Sequence, residues 1–171
     1  MTARDCLQRA LILMLLVMLA PPPSQAAKGS VCAMTRATIA REEVGIRETM
    51  VAYNAALNGG RTAAVLPLYT EDGVFMPPYS DSAVGIHAVC VAYDKVFQEL
   101  AFSVKFTVNE LAQMSPTYAY VRTHSSGTTH HASTGNTISE ANQELFIFKK
   151  GHDGTWRIAR YSFSQTTPLA S

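Results

Sequence analysis

"YNAALNGGRTAAVLPLYTEDGVFMPP", residues 53–78, holds a helix end, a second short helix and a strand. The "NGG" at 58–60 predicts the helix end, because glycine tolerates left-handed backbone. A shorter helix fits "RTAAVLPLY", whose end is tightened by Pro67. The acidic pair at 71–72 predicts a turn before the strand "GVFMP", which the prolines at 77–78 close. This order places two helices before the first strand of a sheet.

The rest of the chain extends this order in both directions. Apolar residues recur at helical spacing from Thr38 to Leu57, and "IHAVCVAYDKVFQEL" predicts a third helix. The period then changes to the alternation of strands. The predicted strands are "FSVKFTVNELAQM", "TYAYVRTH", "ANQELFIFKK" and "TWRIARYSFSQ", with 125–139 as the loop and frayed ends of a long hairpin. Three helices and one early strand, followed by four strands, predict an α+β domain with a curved antiparallel sheet.

The N-terminal segment has the pattern of an export signal. Two arginines precede an apolar run that is short for a membrane span, and small residues stand before a cleavage point after Ala26. We expect a signal peptide at 1–26, a flexible lead-in at 27–37 and one domain at 38–168. The mature protein is then secreted or periplasmic, without stable membrane association. An uncleaved N-terminal anchor is the alternative.

Charge excludes one class of partner. The chain has 14 Lys plus Arg and 13 Asp plus Glu. Removing Arg4, Arg9 and Asp5 with the signal peptide leaves 12 of each (14 − 2 and 13 − 1), so the mature chain is formally neutral. A nucleic-acid binder needs surplus cations against phosphate, and we expect no nucleic-acid partner. No nucleotide, flavin or phosphate motif is present in the sequence, which predicts no cofactor.

The cysteines and histidines give weak indications of a site. Once the signal peptide is removed, Cys32 and Cys90 remain. A disulfide between them and two unrelated thiols are both open. His130 and His131 are adjacent, and neighbouring residues of a strand face opposite sides. The sequence therefore predicts no metal site.

Several strings together resemble one known superfamily. They are "YNAALNGGRTAAVLPLYTEDGVF", the glycine of "AVGIHAV" that opens the third helix, and "ELFIFKKGHDGTWRIARYSFS". From about Arg41 to Thr166 the chain resembles the nuclear transport factor 2-like superfamily, especially its SnoaL-like and SgcJ/EcaC-type members, which share the ketosteroid isomerase fold. The resemblance implies a cone-shaped fold with the three N-terminal helices on the concave face of the sheet. The superfamily includes isomerases, cyclases, dehydratases, hydrolases and binding domains, so fold alone does not give function.

The resemblance also assigns roles to individual residues. The general base of the steroid isomerases falls on Pro77, which has no titratable group, so we expect no steroid-type isomerisation. Their two oxyanion donors fall on Tyr53 and Glu144. A tyrosine hydroxyl and a buried neutral carboxyl can stabilise an oxyanion, or hydrogen-bond a ligand carbonyl without chemistry. Binding is the interpretation that we favour, and burial should raise the pKa of Glu144. His87, at the start of the third helix, is a further candidate base.

Aromatic residues are expected to wall a cavity between the helices and the sheet. The predicted ligand-binding residues are Tyr53, Phe75, Tyr93, Phe97, Tyr120, Glu144, Phe146 and Phe163. The expected partner is a small apolar or carbonyl-containing molecule, and weak isomerase, cyclase or hydrolase activity stays open. The alternative is a non-enzymatic dimerisation or association module with a vestigial cavity. The resemblance also implies a homodimer through the exposed face of the sheet.

Overall fold

The structure, a computed structural model, describes residues 25–166. Its first helix, α1, spans Gln25–Asn58, and the chain divides after Thr38 into two units. The backbone is helical over 27–37, and the flexible lead-in expected there stays a prediction. The predicted signal peptide at 1–26 lies outside the described residues except at its last two positions. In the described part, no helix is long and apolar enough to cross a membrane.

The part of α1 within the second unit presents one apolar stripe to the core. Ile46, Tyr53 and Leu57 are buried at the predicted helical spacing. The helix ends at Asn58, as predicted, and Gly60 adopts a φ of +61° just beyond that end.

Two further helices follow, also as predicted. The second helix, α2 (Thr62–Val65), continues into a 3₁₀ turn at Leu66–Leu68. Pro67 stands at the start of that turn, where its missing N–H costs little. The third helix, α3 (Ile86–Glu99), follows Gly85, whose φ of +84° favours glycine.

Six strands form one curved, unclosed sheet. They are β1 (Tyr69–Met76), β2 (Ala83–Val84), β3 (Leu100–Ser115), β4 (Tyr118–His131), β5 (Thr137–Lys150) and β6 (Trp156–Gln165). Their order is β2-β1-β6-β5-β4-β3, and every neighbouring pair is antiparallel except β1 and β6, which are parallel. The α+β class is therefore confirmed, while the sheet is mixed rather than wholly antiparallel.

The first strand begins earlier than the sequence predicts. Since β1 starts at Tyr69, the acidic pair at 71–72 lies inside the strand and not in a turn before it. The register of β1 against β6 shifts between Tyr69 and Val74. Gly73 permits this irregularity, because a Cβ there would lie 2.8 Å from the Thr70 carbonyl oxygen. An acidic, glycine-containing string is compatible with a turn and with a bulged strand, so the sequence alone did not distinguish the two.

One face of the sheet, here called the inner face, carries the core. Val121, Phe146 and Tyr161 lie opposite one another on β4, β5 and β6 and are almost fully buried. Since side chains alternate along a strand, odd-numbered residues of β4 and even-numbered residues of β5 share this face. The segment 125–139, predicted as loop and frayed ends, is strand up to His131 and again from Thr137. The inner face therefore extends into the polar residues at the end of β4 and the start of β5.

Two asparagines of α1 join the helix to the edge strand β3. Asn58 Nδ2 donates to the Val104 carbonyl at 2.8 Å, and the Val104 N–H donates to Asn58 Oδ1 at 3.0 Å. One turn earlier, Asn54 Nδ2 donates to the same carbonyl at 2.9 Å, and its Oδ1 accepts from the Phe106 N–H at 3.3 Å. These amides pair backbone groups that an edge strand otherwise leaves to solvent. They also fix the helix that carries Tyr53.

Candidate functional site

A cavity of about 310 Å³ lies between α1, α3, the end of β1 and the inner face of the sheet. It is lined by Tyr53, Leu57, Phe75, Pro77, Pro78, Tyr79, Tyr93, Val96, Leu100, Phe102, Val104, Phe106, Ser125, Glu140, Asn142, Tyr161, Phe163 and Gln165. Its volume is at the lower end of the range typical of small-molecule sites. The sequence does not decide which face of the sheet lines the cavity. In the structure it is the face that bears Tyr161 and Phe163.

Aromatic rings form one continuous wall of this cavity. Phe75 stacks on Tyr93 with ring centroids 4.8 Å apart, and on Tyr161 at 5.6 Å. Phe163 extends the stack, 6.3 Å from Phe75. Below it, Phe146 stacks on Tyr161 at 4.1 Å. Near-parallel rings of this kind offer a flat apolar surface to a flat molecule.

Four buried tyrosine hydroxyls form a chain behind that wall. The hydroxyl oxygens of Tyr53 and Tyr93 are 2.7 Å apart, and those of Tyr69 and Tyr93 are 3.0 Å apart. Burial is the main reason that the pKa of each of these three phenols is raised above its ordinary value of 10.0. The Tyr161 hydroxyl also hydrogen-bonds that of Tyr53, so three contacts among four hydroxyls use three protons and one proton remains for donation outside the chain. Because Tyr53 and Tyr93 line the cavity, the chain can offer a neutral donor to a ligand.

Glu144 lies directly behind the polar part of the wall. It is 4% exposed, and its carboxylate accepts hydrogen bonds from the hydroxyls of Thr123 and Ser125. Burial raises the pKa of Glu144, and the two hydroxyl donors oppose that rise. Ser125 lines the cavity and Glu144 does not. The predicted pair of Tyr53 and Glu144 is therefore near in space, with only Tyr53 on the cavity surface.

The mouth of the cavity is formed by the segment after β1. Pro77 and Pro78 line it, so the position that the resemblance gives to a general base carries no titratable group. Tyr79 follows with a φ of +60° and a side chain that is 91% exposed. A left-handed tyrosine is uncommon and holds some backbone strain.

The structure separates the predicted ligand-binding residues into three groups. Tyr53, Phe75, Tyr93 and Phe163 line the cavity. Glu144 and Phe146 are buried behind its wall, and Phe97 packs against the rings of Tyr93 and Phe102 in the core.

The third group lies away from the cavity. Tyr120 stands one residue from buried Val121, so it faces the opposite side of the sheet, and its hydroxyl donates to Glu110 at 2.6 Å. His87 lies exposed on α3. Neither residue is among those that line this cavity.

Three polar lining residues, Ser125, Glu140 and Asn142, were missed by the sequence analysis. Ser125 lies in the segment predicted as a loop and Glu140 directly follows it, so no strand parity was assigned to either; Asn142 lies in the predicted strand "ANQELFIFKK" and was not singled out. Alternation of polar side chains in "THSSGTT" and "SEANQE" was the available signal. It is a weak one, because both faces of the hairpin are polar in sequence there.

The cysteines and histidines add no site in the described residues. Cys90 is half-buried, and its sulfur lies 3.9 Å from the Asp94 carboxylate. The side chain of Cys32 lies outside the described residues, so the disulfide stays a prediction. Within residues 25–166, no group of three or more His, Cys, Asp or Glu side chains is placed to hold a metal ion.

Comparison with known proteins places the fold in a family. A family model described as a SnoaL-like domain matches residues 50–161. A ketosteroid isomerase-like protein from Erwinia carotovora atroseptica SCRI1043 is 35% identical with a TM-score of 0.71, and the match covers 73% of this chain and 96% of that one. No curated protein matches the chain.

Two more distant structures share the fold. A nuclear transport factor 2 (NTF2-like) superfamily protein from Salmonella enterica serovar Typhimurium LT2 is 14% identical with a TM-score of 0.66, over 77% of this chain and 96% of that one. A protein from Catenulispora acidiphila, solved in complex with S-DNPA, is 18% identical with a TM-score of 0.61, over 74% and 94% of the two chains. At these identities the likeness concerns fold alone.

Proposed function

The chain belongs to the SnoaL-like domain family, and from that premise we propose that it binds a small, flat, mainly apolar molecule with a carbonyl group. The supporting observation is the cavity of about 310 Å³, whose aromatic wall includes Tyr53. The family's fold serves many functions, so the proposal rests on the cavity itself.

In this proposal the apolar body of the ligand lies against the Phe75, Tyr161 and Phe163 rings. Its carbonyl oxygen accepts a hydrogen bond from the one hydroxyl of the tyrosine chain that has no acceptor within the chain, that of Tyr53 or Tyr93. Because burial raises the pKa of both phenols, they stay protonated and remain donors at neutral pH. A ligand without a carbonyl would leave this buried phenol donor unpaired, which is costly and gives selectivity for molecules that carry a carbonyl.

Binding, and not steroid-type isomerisation, is the proposed activity. A proton can be lifted from carbon only by a positioned base, and Pro77 supplies none. Among the lining residues of the described chain, Glu140 alone carries a carboxyl group, and it lies on β5 away from the family's base position. We also propose that the protein is exported to the periplasm or the medium. The intact mass of the protein purified from its host tests this, because cleavage after Ala26 removes residues 1–26.

The test compares 2-acetylnaphthalene with 2-ethylnaphthalene, which lacks the carbonyl. We expect the ketone to raise the melting temperature of the protein with increasing concentration, because only a ligand of the folded state does so. Tyr53→Phe should weaken ketone binding by about 1 kcal/mol, roughly fivefold, while leaving 2-ethylnaphthalene unaffected. Tyr120→Phe, on the opposite face, is the matched control. No stabilisation of the wild type by either probe would refute the proposal.

A further inference from the structure

The inner face of the sheet is aromatic at one end of the cavity and polar at the other. Phe146 and Tyr161 form an aromatic row across β5 and β6, with ring centroids 4.1 Å apart. Four residues back along β5, Asn142 lies opposite Ser125 on β4 and Gln165 on β6, and all three line the cavity. The polar row is therefore four residue pairs away from the aromatic row, roughly 13 Å along the strand.

Asn142 has an unmet hydrogen-bonding capacity at this end. Its residue is 9% exposed, and its Oδ1 is buried without any hydrogen-bond partner in the described chain. Buried amide oxygens are normally paired, so an unpaired one on a cavity wall points to a partner that comes from outside the protein.

Glu140 adds a second acceptor beside it. It lies two residues from Asn142 on the same face of β5, and one carboxylate oxygen, Oε2, accepts from Thr129 Oγ1 at 2.5 Å. Thr129 is fully buried and fixes the orientation of the carboxylate. The residue opposite Glu140 on β4 is Gly127, which has no side chain to occupy Oε1. No hydrogen-bond donor of the described chain contacts Oε1, and Glu140 lines the cavity, so this oxygen is available to accept from a bound molecule.

From these contacts we infer that the cavity binds an elongated molecule whose second end, remote from the tyrosines, carries a hydroxyl that donates to Glu140 and Asn142. This inference rests on the proposed function and narrows the ligand class to hydroxylated aryl or polycyclic ketones. An apolar end alone would leave both acceptors desolvated and unpaired, which is unfavourable.

The test uses two probes of nearly equal size at that end: 6-hydroxy-2-acetylnaphthalene, which donates, and 6-methyl-2-acetylnaphthalene, which cannot. Isothermal titration is carried out on the full chain. We expect the hydroxyl probe to bind roughly tenfold more tightly, the gain of a hydrogen bond to a charged acceptor. Asn142→Leu should remove most of that preference, and Glu140→Gln should reduce it, because the amide oxygen of glutamine is an uncharged acceptor. Gln143→Leu, the neighbouring substitution on the opposite face, should leave it unchanged.

The outcomes separate the two proposals. If neither naphthyl ketone binds, the proposed function fails and this inference fails with it. If 2-acetylnaphthalene and both derivatives bind equally well, the cavity binds ketones and the inferred hydroxyl site is refuted. A preference that survives both Glu140→Gln and Asn142→Leu also refutes it. Since Glu140 is only half-buried, Glu140→Gln gives a folded variant for this comparison even if Asn142→Leu does not.

Discussion

Gly127 lies where β3 and β4 approach too closely for a side chain. A Cβ at this position would be 2.1 Å from the Ser103 carbonyl oxygen and 2.7 Å from Val104 Cα. Both contacts are with backbone, so the strands themselves must move to accept a larger residue. The same position is opposite Glu140, which makes it part of the support for the polar end of the cavity.

We therefore predict that Gly127→Ala lowers the free energy of unfolding by about 1 to 3 kcal/mol, the usual cost of overpacking. Urea denaturation measures it, with Ser126→Ala, an exposed neighbour on the same strand, as the control. An alanine variant as stable as the wild type would show that the two strands are not held this closely.

Glu42 links α1 to the last hairpin of the sheet. Its carboxylate accepts from Lys150 Nζ at 2.7 Å and from Trp156 Nε1 at 2.8 Å, and the residue is 8% exposed. The hydrogen bond from Lys150, then that from Trp156, lowers the pKa of Glu42 below its ordinary value of 4.5. A lowered folded-state pKa contributes stability above pH 4.5, and that stability is lost as pH falls through the folded pKa.

The predicted consequence is a pH-dependent difference between the wild type and Glu42→Gln. At pH 7 the variant should be less stable by about 1 to 2 kcal/mol, since a charge-assisted hydrogen bond becomes a neutral one. At pH 3 the difference should shrink. Chemical denaturation at both pH values checks this, with exposed Glu48→Gln as the control. A difference that is equal at the two pH values would contradict the assigned role of the charge.

At the scale of secondary-structure elements, Asn54 and Asn58 act as a clamp on the edge strand β3. They stand one helical turn apart, so both amides face the same backbone groups around Val104. A helix fixed to an edge strand in this way keeps Tyr53, one residue before Asn54, in register with the cavity.

We predict that Asn58→Ala exposes the Val104 amide to solvent exchange and lowers unfolding free energy by about 1 to 3 kcal/mol, because a part-buried backbone pair loses its partner. Asn58→Asp keeps the acceptor for Val104 N–H and should lose less. Hydrogen exchange followed by NMR measures the effect at Val104 directly, with exposed Asn109→Ala as the control. Unchanged exchange at Val104 in Asn58→Ala would rule out the clamp.

Sequence periodicity predicted α1, α3 and the long strands because each has a buried face of several repeats, whereas α2 has only four residues. It did not predict β2, which has two residues, or the parallel pairing of β1 with β6, which depends on contacts between distant segments. In the site, Tyr53 was found through the position of the helix end. Glu140 was not, because its serine- and threonine-rich surroundings have the composition of a loop; Asn142 lies in a predicted strand and was not singled out.

At the scale of the whole molecule, the face of the sheet opposite the inner face carries exposed apolar side chains. Leu145 is 47% exposed and Tyr118 is 39% exposed on that face. We propose that this face forms a homodimer, in keeping with the family resemblance. Sedimentation velocity at micromolar concentration should show a dimer for the wild type and a monomer for Leu145→Glu, with Val51→Glu on α1 as the control. A wild type that sediments only as a monomer would contradict the proposal.

The central claim is that the cavity binds a small carbonyl compound. A crystal structure of the protein with 2-acetylnaphthalene tests it most directly. We predict that the naphthalene ring lies against Phe75, Tyr161 and Phe163, with the ketone oxygen within about 3 Å of the Tyr53 or Tyr93 hydroxyl. A saturated crystal in which the probe lies outside the cavity, or in which its carbonyl contacts neither tyrosine, would contradict it.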